Sequence, residues 1–151
     1  MPEGYAFGHD PERCIKCFSC ETACKQWRGI APGTFKLRRV YEVATGTFPQ
    51  VDRTFHSAAC QHCPEPPCVD ACPLGAIIKT EPDGIVVVEA GKCDGCRKCL
   101  DACPFGVPDF DDKGILQLCD LCLDRRTQGK RPICSDACPT GALTYKEPAL
   151  S

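Results

Sequence analysis

Long apolar segments are missing from this sequence of 151 residues. The longest aliphatic run is Ile85–Val88, far shorter than the ~20 apolar residues that a transmembrane helix needs, so we expect no membrane span. Residues 1–5 contain no basic start, apolar stretch or twin arginine, which predicts a chain without an export signal. The sequence therefore favours a cytoplasmic location.

Ordinary core-forming side chains are also scarce. Leu, Ile, Val and Phe together number 31, about a fifth of the chain, which is close to the lower limit for a self-sufficient hydrophobic core. The sequence contains no phosphate-binding loop, dinucleotide fingerprint, nucleophile elbow or metalloprotease helix. Something other than side-chain burial must help to stabilise the fold, and the common enzyme motifs are absent.

Cysteine, in contrast, is abundant. The chain has 16 cysteines, above the ~8–10% at which cysteine content becomes diagnostic. They fall into four groups of four, called groups I to IV here, with none left over. Group I is Cys14, Cys17, Cys20 and Cys24; group II is Cys60, Cys63, Cys68 and Cys72; group III is Cys93, Cys96, Cys99 and Cys103; group IV is Cys119, Cys122, Cys134 and Cys138.

The spacing within the groups distinguishes between three kinds of cysteine site. Groups I and III read C-x2-C-x2-C-x3-C, the run of bacterial ferredoxins, while groups II and IV widen the middle interval. A disulfide scaffold needs an oxidising compartment, for which the sequence gives no sign. Zinc sites usually combine two separated pairs and do not explain the third cysteine. The pattern therefore favours 4Fe–4S clusters, with zinc as a weak alternative.

The last interval of each group has its own mechanics. After the third cysteine we expect a helical turn, and the fourth cysteine then reaches a different cluster, as in two-cluster ferredoxins. Proline follows the fourth cysteine in groups II, III and IV and favours a sharp exit from the helix, whereas Lys25 takes this place in group I. Each group therefore needs a partner group.

Between the groups, the pattern predicts short strands and tight turns. One hairpin joins Ile77–Thr80 to Ile85–Val88 through the turn Glu81–Gly84. The other predicted elements are a weaker hairpin of Asp109–Lys113 and Ile115–Leu118, a strand at Leu143–Lys146, strands Phe35–Val43 and Thr47–Phe55 around Thr45-Gly46, and a short helix over Leu118–Gln128 that ends at Gly129.

The order of the four groups resembles the four-cluster electron-transfer subunits of the dimethyl sulfoxide reductase and formate dehydrogenase type. The likeness covers residues 10–145, and it is carried by residues 14–27, 60–68, 93–99 and 119–122 with a distant Cys134. In that family groups I and IV pair, as do groups II and III. The resemblance therefore implies four 4Fe–4S clusters, each held by cysteines from both members of a pair.

Residue by residue, the resemblance implies four ligand sets, which we call sites 1 to 4. Site 1 is Cys14, Cys17, Cys20 and Cys138; site 2 is Cys24, Cys119, Cys122 and Cys134; site 3 is Cys60, Cys63, Cys68 and Cys103; site 4 is Cys72, Cys93, Cys96 and Cys99.

The fold implied by the resemblance is a small, turn-rich α+β protein with a double ferredoxin-like fold. An inner two-cluster module of residues 60–104 is inserted into an outer two-cluster module of residues 1–59 plus 105–151. Membrane-attached members often end in a hydrophobic helix, whereas this chain ends in Glu147–Ser151, which favours a subunit without direct membrane insertion.

The function implied is conduction rather than catalysis. We expect a relay subunit that joins a large molybdenum or tungsten pterin subunit, of the formate dehydrogenase or tungsten aldehyde oxidoreductase type, to a second redox partner such as a flavoprotein or ferredoxin. The alternatives are a free-standing polyferredoxin and, less favoured, a zinc-stabilised module. No nucleic-acid signature accompanies the basic stretch at residues 125–131, which is interpreted as a solvated loop.

Cations near the cysteines bear on the cluster potentials. Each oxidised cluster with four thiolates carries about −2, so the formal charge of −2 on the polypeptide becomes about −10 in the loaded protein. His62, between two cysteines of group II, is interpreted as a hydrogen-bond donor rather than a ligand. The cations that could raise the local potentials are Lys16, Lys25, Arg97, Lys98, Arg125 and Arg126.

Overall fold

The structure is a computed structural model that describes residues 6–81 and 83–147. Both chain ends considered above, as well as Pro82 of the predicted turn, lie outside these residues. The strands are β1 (Ala6–His9), β2 (Arg38–Thr47), β3 (Gln50–Ala59), β4 (Ile77–Lys79), β5 (Val86–Val88), β6 (Asp109–Phe110), β7 (Leu116–Gln117) and β8 (Leu143–Lys146). The α-helices are α1 (Ser19–Arg28), α2 (Pro67–Ala71), α3 (Lys98–Ala102), α4 (Leu123–Arg126) and α5 (Ile133–Asp136).

Within the described residues the strands form four separate antiparallel pairs. Three are hairpins between consecutive strands: β2 with β3, β4 with β5, and β6 with β7. The fourth joins β1 to β8, with Ala6 opposite Lys146 and His9 opposite Leu143. Short helices and small hairpins make this a small α+β fold, in agreement with the predicted class. Strand β1 was not predicted from the sequence.

The hairpin predicted for Ile77–Thr80 and Ile85–Val88 is confirmed, with Ile77 opposite Val88. The weaker hairpin is also present, but it is reduced to β6 and β7. Strand β8 occupies the predicted residues Leu143–Lys146.

The turn between β2 and β3, which form the long hairpin, was predicted wrongly. The chain reverses at Phe48-Pro49, where Thr47 faces Gln50, and not at Thr45-Gly46. Proline has no N–H for a strand ladder, so Pro49 belongs in the turn. Gly46 instead lies within β2 opposite Val51, and the strands extend four residues beyond their predicted ends to Thr47 and Ala59.

The helix predicted over Leu118–Gln128 is largely wrong. Only Leu123–Arg126 is α-helical, although Gly129 follows it with a positive φ of 72° as expected for a stop. Residues 119–122 cannot be helical because Leu121 and Cys122 have φ values of 58° and 50°. The C-x2-C loop of group IV replaces the first part of the predicted helix.

The helical turn after the third cysteine is confirmed in all four groups. The last x3 interval of groups I, II and III lies in α1, α2 and α3, respectively, and that of group IV lies in α5 except for Ala137, which caps the helix. Where proline follows the fourth cysteine, the helix ends at or before the residue preceding that cysteine, whereas Lys25 allows α1 to continue to Arg28. Helix α1 packs against α5, and α2 packs against α3.

The core combines aliphatic side chains with sulfur. Its main cluster consists of Cys24, Leu37, Ala59, Cys60, Ile77, Val86, Cys99, Val107, Leu116 and Cys119. Four of these ten residues are cysteines, which fits the scarcity of ordinary core-formers in the sequence. In the described part of the chain, no helix has the length and apolarity needed to cross a membrane.

Replacing Gly46 tests the tip of the long hairpin. Gly46 has φ +85°, and an added Cβ would lie 2.2 Å from the carbonyl oxygen of Gln50. We expect Gly46→Ala to speed amide hydrogen exchange at the hairpin tip by about tenfold or more, because the positive φ and the clash both open the ladder. Gly33→Ala is the matched control, since Gly33 has φ +77° but no atom near the added Cβ. Unchanged exchange at the tip of the Gly46 variant would contradict this register.

Candidate metal centres

The C-x2-C segment of every group turns sharply at its third residue. The φ of that residue is 56° at Lys16, 48° at His62, 76° at Gly95 and 58° at Leu121. This turn aims the residue's N–H at the sulfur two positions earlier. The N–H of His62 lies 3.5 Å from Cys60 Sγ, and the N–H of Leu121 lies 3.4 Å from the sulfur of Cys119. The backbone thus supplies hydrogen bonds to the first cysteine of these groups.

A second turn follows the fourth cysteine where the sequence reads C-P-x-G. Its glycines have φ between 60° and 67°. The N–H of Ala76 lies 3.3 Å from Cys72 Sγ, and that of Leu143 lies 3.5 Å from Cys138 Sγ. Burial alone would raise the pKa of Cys72, but the N–H groups that face its sulfur outweigh burial and lower this pKa. This turn therefore stabilises the thiolate form of Cys72, and backbone N–H groups lower the pKa of Cys138 in the same way.

Three cavities are each lined by four cysteines. The cysteines are Cys14, Cys17, Cys20 and Cys138 in the first, Cys60, Cys63, Cys68 and Cys103 in the second, and Cys72, Cys93, Cys96 and Cys99 in the third. The structure thus brings together the cysteines of sites 1, 3 and 4.

The cysteines of site 2 are all buried. The pKa of Cys24 is raised to about 12, first by burial and then by the thiols of Cys134 and Cys122. Burial also raises the pKa of Cys119, and the thiols of Cys134 and Cys24 act in the same direction. The sulfurs of this set therefore lie close enough to repel one another when they are ionised.

These four sets fit 4Fe–4S clusters. Each set offers four thiols, the donors that such a cluster needs. Buried thiolates that repel one another need positive charge between them, which the irons of a cluster provide. Among the described residues, no set of three or more Cys, His, Asp or Glu side chains is spaced to hold a single metal ion.

Exposure of the sulfurs differs among the sites. Cys17 of site 1 and Cys96 of site 4 are exposed, whereas no cysteine of site 2 or site 3 is. Exposed apolar side chains line the same two cavities, with Ile15 at site 1 (58% exposed) and Leu74 at site 4 (47% exposed). Sites 1 and 4 are therefore the two that combine an exposed sulfur with an apolar rim.

One short segment contacts three of the sites. Leu116 lines the cavity of site 4, and its N–H lies 3.4 Å from Cys93 Sγ. Two residues later, Leu118 lines the cavity of site 3, and Cys119 then belongs to site 2. The segment 116–119 therefore packs sites 2, 3 and 4 against a single stretch of backbone.

His62 does not line a cysteine cavity with its ring. Nδ1 accepts a hydrogen bond from the Val86 N–H at 2.9 Å, so the ring proton is on Nε2. Burial lowers the pKa of His62 to about 4, and the charges of Arg126 and Lys79 act in the same direction. Nε2 is buried and has no hydrogen-bond partner among the described residues. The interpretation of His62 as a donor to a cluster remains a prediction.

The basic stretch at residues 125–131 is not simply a solvated loop. Arg125 is buried, and it donates to the carbonyl of Arg131 at 2.8 Å and to Asp136 at 2.7 Å. Its guanidinium also lies 4.8 Å from the centre of the Trp27 ring. Arg125 therefore connects α4 with α5 and α1 around site 2, a role that its sequence neighbourhood did not indicate.

Ser57 is another contact that the motifs could not reveal. Its hydroxyl oxygen lies 3.3 Å from Cys20 Sγ, although the two residues are 37 positions apart. Only the pairing of β2 with β3 brings Ser57 to site 1, and the sequence contains no local signal of this proximity.

Comparison with known families identifies the chain. The family model described as "4Fe-4S dicluster domain" matches residues 51–147. The protein belongs to this family. A second match, described as "4Fe-4S binding domain", covers residues 11–27 of this dicluster protein and contains group I.

Curated relatives of the dicluster protein are components of redox enzymes. A chain of the anaerobic dimethyl sulfoxide reductase of Escherichia coli (strain K12) is 41% identical over 154 residues, covering 96% of this protein and 74% of the relative. The corresponding chain of Haemophilus influenzae is 40% identical over 153 residues, covering 95% and 74%. A sulfite dehydrogenase subunit of Allochromatium vinosum is 37% identical over 154 residues, covering 87% and 64%.

These matches confirm the predicted resemblance. This protein is a non-catalytic electron-transfer subunit of an oxidoreductase, and its cofactors are four 4Fe–4S clusters. The assignment of each cysteine to a site remains a prediction.

Arg125 provides a test of the packing around site 2. We expect Arg125→Met to lower the free energy of unfolding by about 2–4 kcal/mol, because it removes a buried partner of Asp136 and leaves a carbonyl unpaired. Arg131→Met is the matched control: Arg131 is 59% exposed and ion-paired with the same Asp136, so its loss should cost at most about 1 kcal/mol. Anaerobic thermal unfolding of both variants measures the difference. Equal losses would show that Arg125 does not brace the helices.

Proposed function

We propose that this chain relays single electrons from one redox protein to another, one of the two being a catalytic subunit. When bound, each cluster supplies a one-electron carrier. The observation that carries the proposal is that 12 of the 16 cysteines line three cavities in sets of four, while the other four are all buried. The residues of the chain hold these carriers, bury one of the sets completely and leave an exposed cysteine in each of two others.

The ligand sets proposed are sites 1 to 4 as defined above. Three cysteine-lined cavities and the mutual effects of the site 2 thiols support them. The contacts of α1 with α5 and of α2 with α3 support pairing of group I with IV and of group II with III. We also propose the corresponding modules, residues 60–104 inside and residues 1–59 plus 105–151 outside.

Electrons enter and leave this relay at sites 1 and 4. These sites combine an exposed cysteine with exposed apolar side chains, which are suited to a protein contact. Site 2 is buried and site 3 has no exposed cysteine, and the segment 116–119 lies beside sites 2, 3 and 4. The arrangement leaves an exposed cysteine at each proposed end of the relay.

The catalytic partner proposed is a large molybdenum or tungsten pterin subunit. Two of the relatives are a dimethyl sulfoxide reductase chain and a sulfite dehydrogenase subunit. Their names favour a partner of the dimethyl sulfoxide reductase or sulfite dehydrogenase type over the formate dehydrogenase or tungsten aldehyde oxidoreductase type expected from the sequence. A flavoprotein or ferredoxin is the second partner. Copurification from anaerobic extract with a large subunit containing pterin and molybdenum or tungsten tests the proposal, while a cluster-loaded monomer without such a subunit would favour a free polyferredoxin.

Two single variants test the crossed ligand sets. We expect Cys24→Ala to remove the cluster of site 2 and Cys20→Ala to remove that of site 1, because Cys20 lines the cavity of site 1 whereas Cys24 interacts with the thiols of Cys134 and Cys122. Electron paramagnetic resonance and iron and sulfide analysis of each variant identify the missing cluster. If group I held one cluster alone, both variants would lose the same signal, and the crossed arrangement would be wrong.

Surface variants test the two ends of the relay. We expect Ile15→Asp and Leu74→Asp each to weaken binding of a different partner by about tenfold or more, because each places a charge in an apolar rim. Phe48→Asp is the control, since Phe48 is 92% exposed at the hairpin tip and lines none of the cysteine cavities. Binding assays with the purified partners measure the affinity of each variant. Loss of binding to both partners in one variant would contradict the proposal that the two partners bind at different sites.

A further inference from the structure

Arg38 is a buried cation without a carboxylate partner. It begins β2 at the base of the long hairpin and is only 2% exposed. Among the described residues, no carboxylate lies within 4.0 Å of its guanidinium. The other buried arginine, Arg125, is paired with Asp136. The charge of Arg38 therefore needs a different counter-ion, because an unpaired buried charge is very unfavourable.

On one side, Arg38 faces site 1. Its Nη1 donates to the Ser57 hydroxyl oxygen at 3.0 Å, and that oxygen lies 3.3 Å from Cys20 Sγ. The serine hydroxyl can accept from the guanidinium and donate to the sulfur, so it connects the charge to a site 1 ligand. The guanidinium also lies over the Phe7 ring, 4.3 Å from its centre.

On the other side, Arg38 faces site 2. Cys134 of site 2 packs in the same core cluster as Cys20 of site 1. Phe7, whose ring lies under the guanidinium, packs against this cluster and against the cluster that contains Cys24 and Cys119. In agreement with this placement, the Arg38 charge opposes the rise that burial causes in the pKa of each of these three thiols. A side-chain hydrogen bond from Arg38 also acts on the Cys134 thiol and lowers its pKa against the effect of burial. The guanidinium thus lies near cysteines of both sites, with Nη1 hydrogen-bonded to Ser57 on the site 1 side.

We propose that Arg38 is the internal counter-ion shared by sites 1 and 2 and that it raises the reduction potentials of their two clusters. Each oxidised cluster carries about −2, which compensates the buried guanidinium. Reduction adds a further negative charge, and a fixed cation nearby favours the reduced form. Arg38 is therefore a positioning residue that acts on the clusters through Ser57 and through space.

Three variants of the full chain, loaded with clusters under anaerobic conditions, test this role. Arg38→Met removes the charge and keeps most of the side-chain length, while Arg38→Lys keeps the charge. Arg39→Met is the matched control, because Arg39 is the next residue, is 44% exposed in its side chain and pairs with Asp109. Potentiometric titration followed by electron paramagnetic resonance measures the midpoint potential of each cluster.

We expect two of the four potentials to shift negative in the Arg38→Met variant and to return most of the way in Arg38→Lys. All four should stay unchanged in Arg39→Met. Unchanged potentials in an Arg38→Met variant that retains its four clusters would overturn the proposal, as would an equal shift of all four. If Arg38→Met fails to load sites 1 and 2, loading restored by Arg38→Lys supports the role of charge, and equal loss in both variants overturns it.

This inference rests on the proposed ligand sets but not on the proposed partners. The titration uses the isolated chain, so failure to find a pterin subunit leaves it intact. If Cys20→Ala and Cys24→Ala remove the same cluster, the ligand sets fail, while a shift of two potentials in Arg38→Met remains a separate result.

Discussion

Convergence of cysteine sulfurs from distant parts of the chain is the constraint on which this fold depends. The backbone must bring four sulfurs to one point and still pair its own polar groups. Residues with positive φ solve both problems at once, because they turn the chain around the sulfur and aim an N–H at it. Elsewhere the described residues form two-stranded pairs and helices of about one to three turns, which are marginal alone. The clusters are therefore part of the scaffold as well as carriers.

The elements that the sequence predicted well are those coded locally. The helical turn after each third cysteine follows from the x3 interval, and the proline or its absence determines where the helix ends. Lys25 illustrates this dependence, since α1 alone continues beyond the fourth cysteine of its group. The strands around residues 81–84 and at the end of the described chain likewise follow from short apolar runs and turn residues.

The features that the sequence did not predict depend on contacts between distant residues. Strand β1 exists because it pairs with β8, more than 130 residues later. Arg38 and Ser57 lie within residues 34–59, which contain no cysteine, and only the register of β2 with β3 places them beside the cysteines. Basic residues within the motifs were the obvious candidates for tuning potentials, yet Arg125 among them is committed to Asp136. Burial without a carboxylate, which a sequence cannot display, distinguishes Arg38.

The order in which the chain emerges from the ribosome gives the nested ligand sets a temporal consequence. With the proposed sets, every cysteine of sites 3 and 4 has been synthesised once Cys103 appears, whereas sites 1 and 2 wait for Cys138 and Cys134. Sites 3 and 4 of the inner module can thus receive their clusters while the rest of the polypeptide is still being synthesised. Throughout that interval the ligand sets of the group I cysteines, Cys14 to Cys24, are still incomplete. The first thiols to be synthesised are therefore among the last to be protected from oxidation.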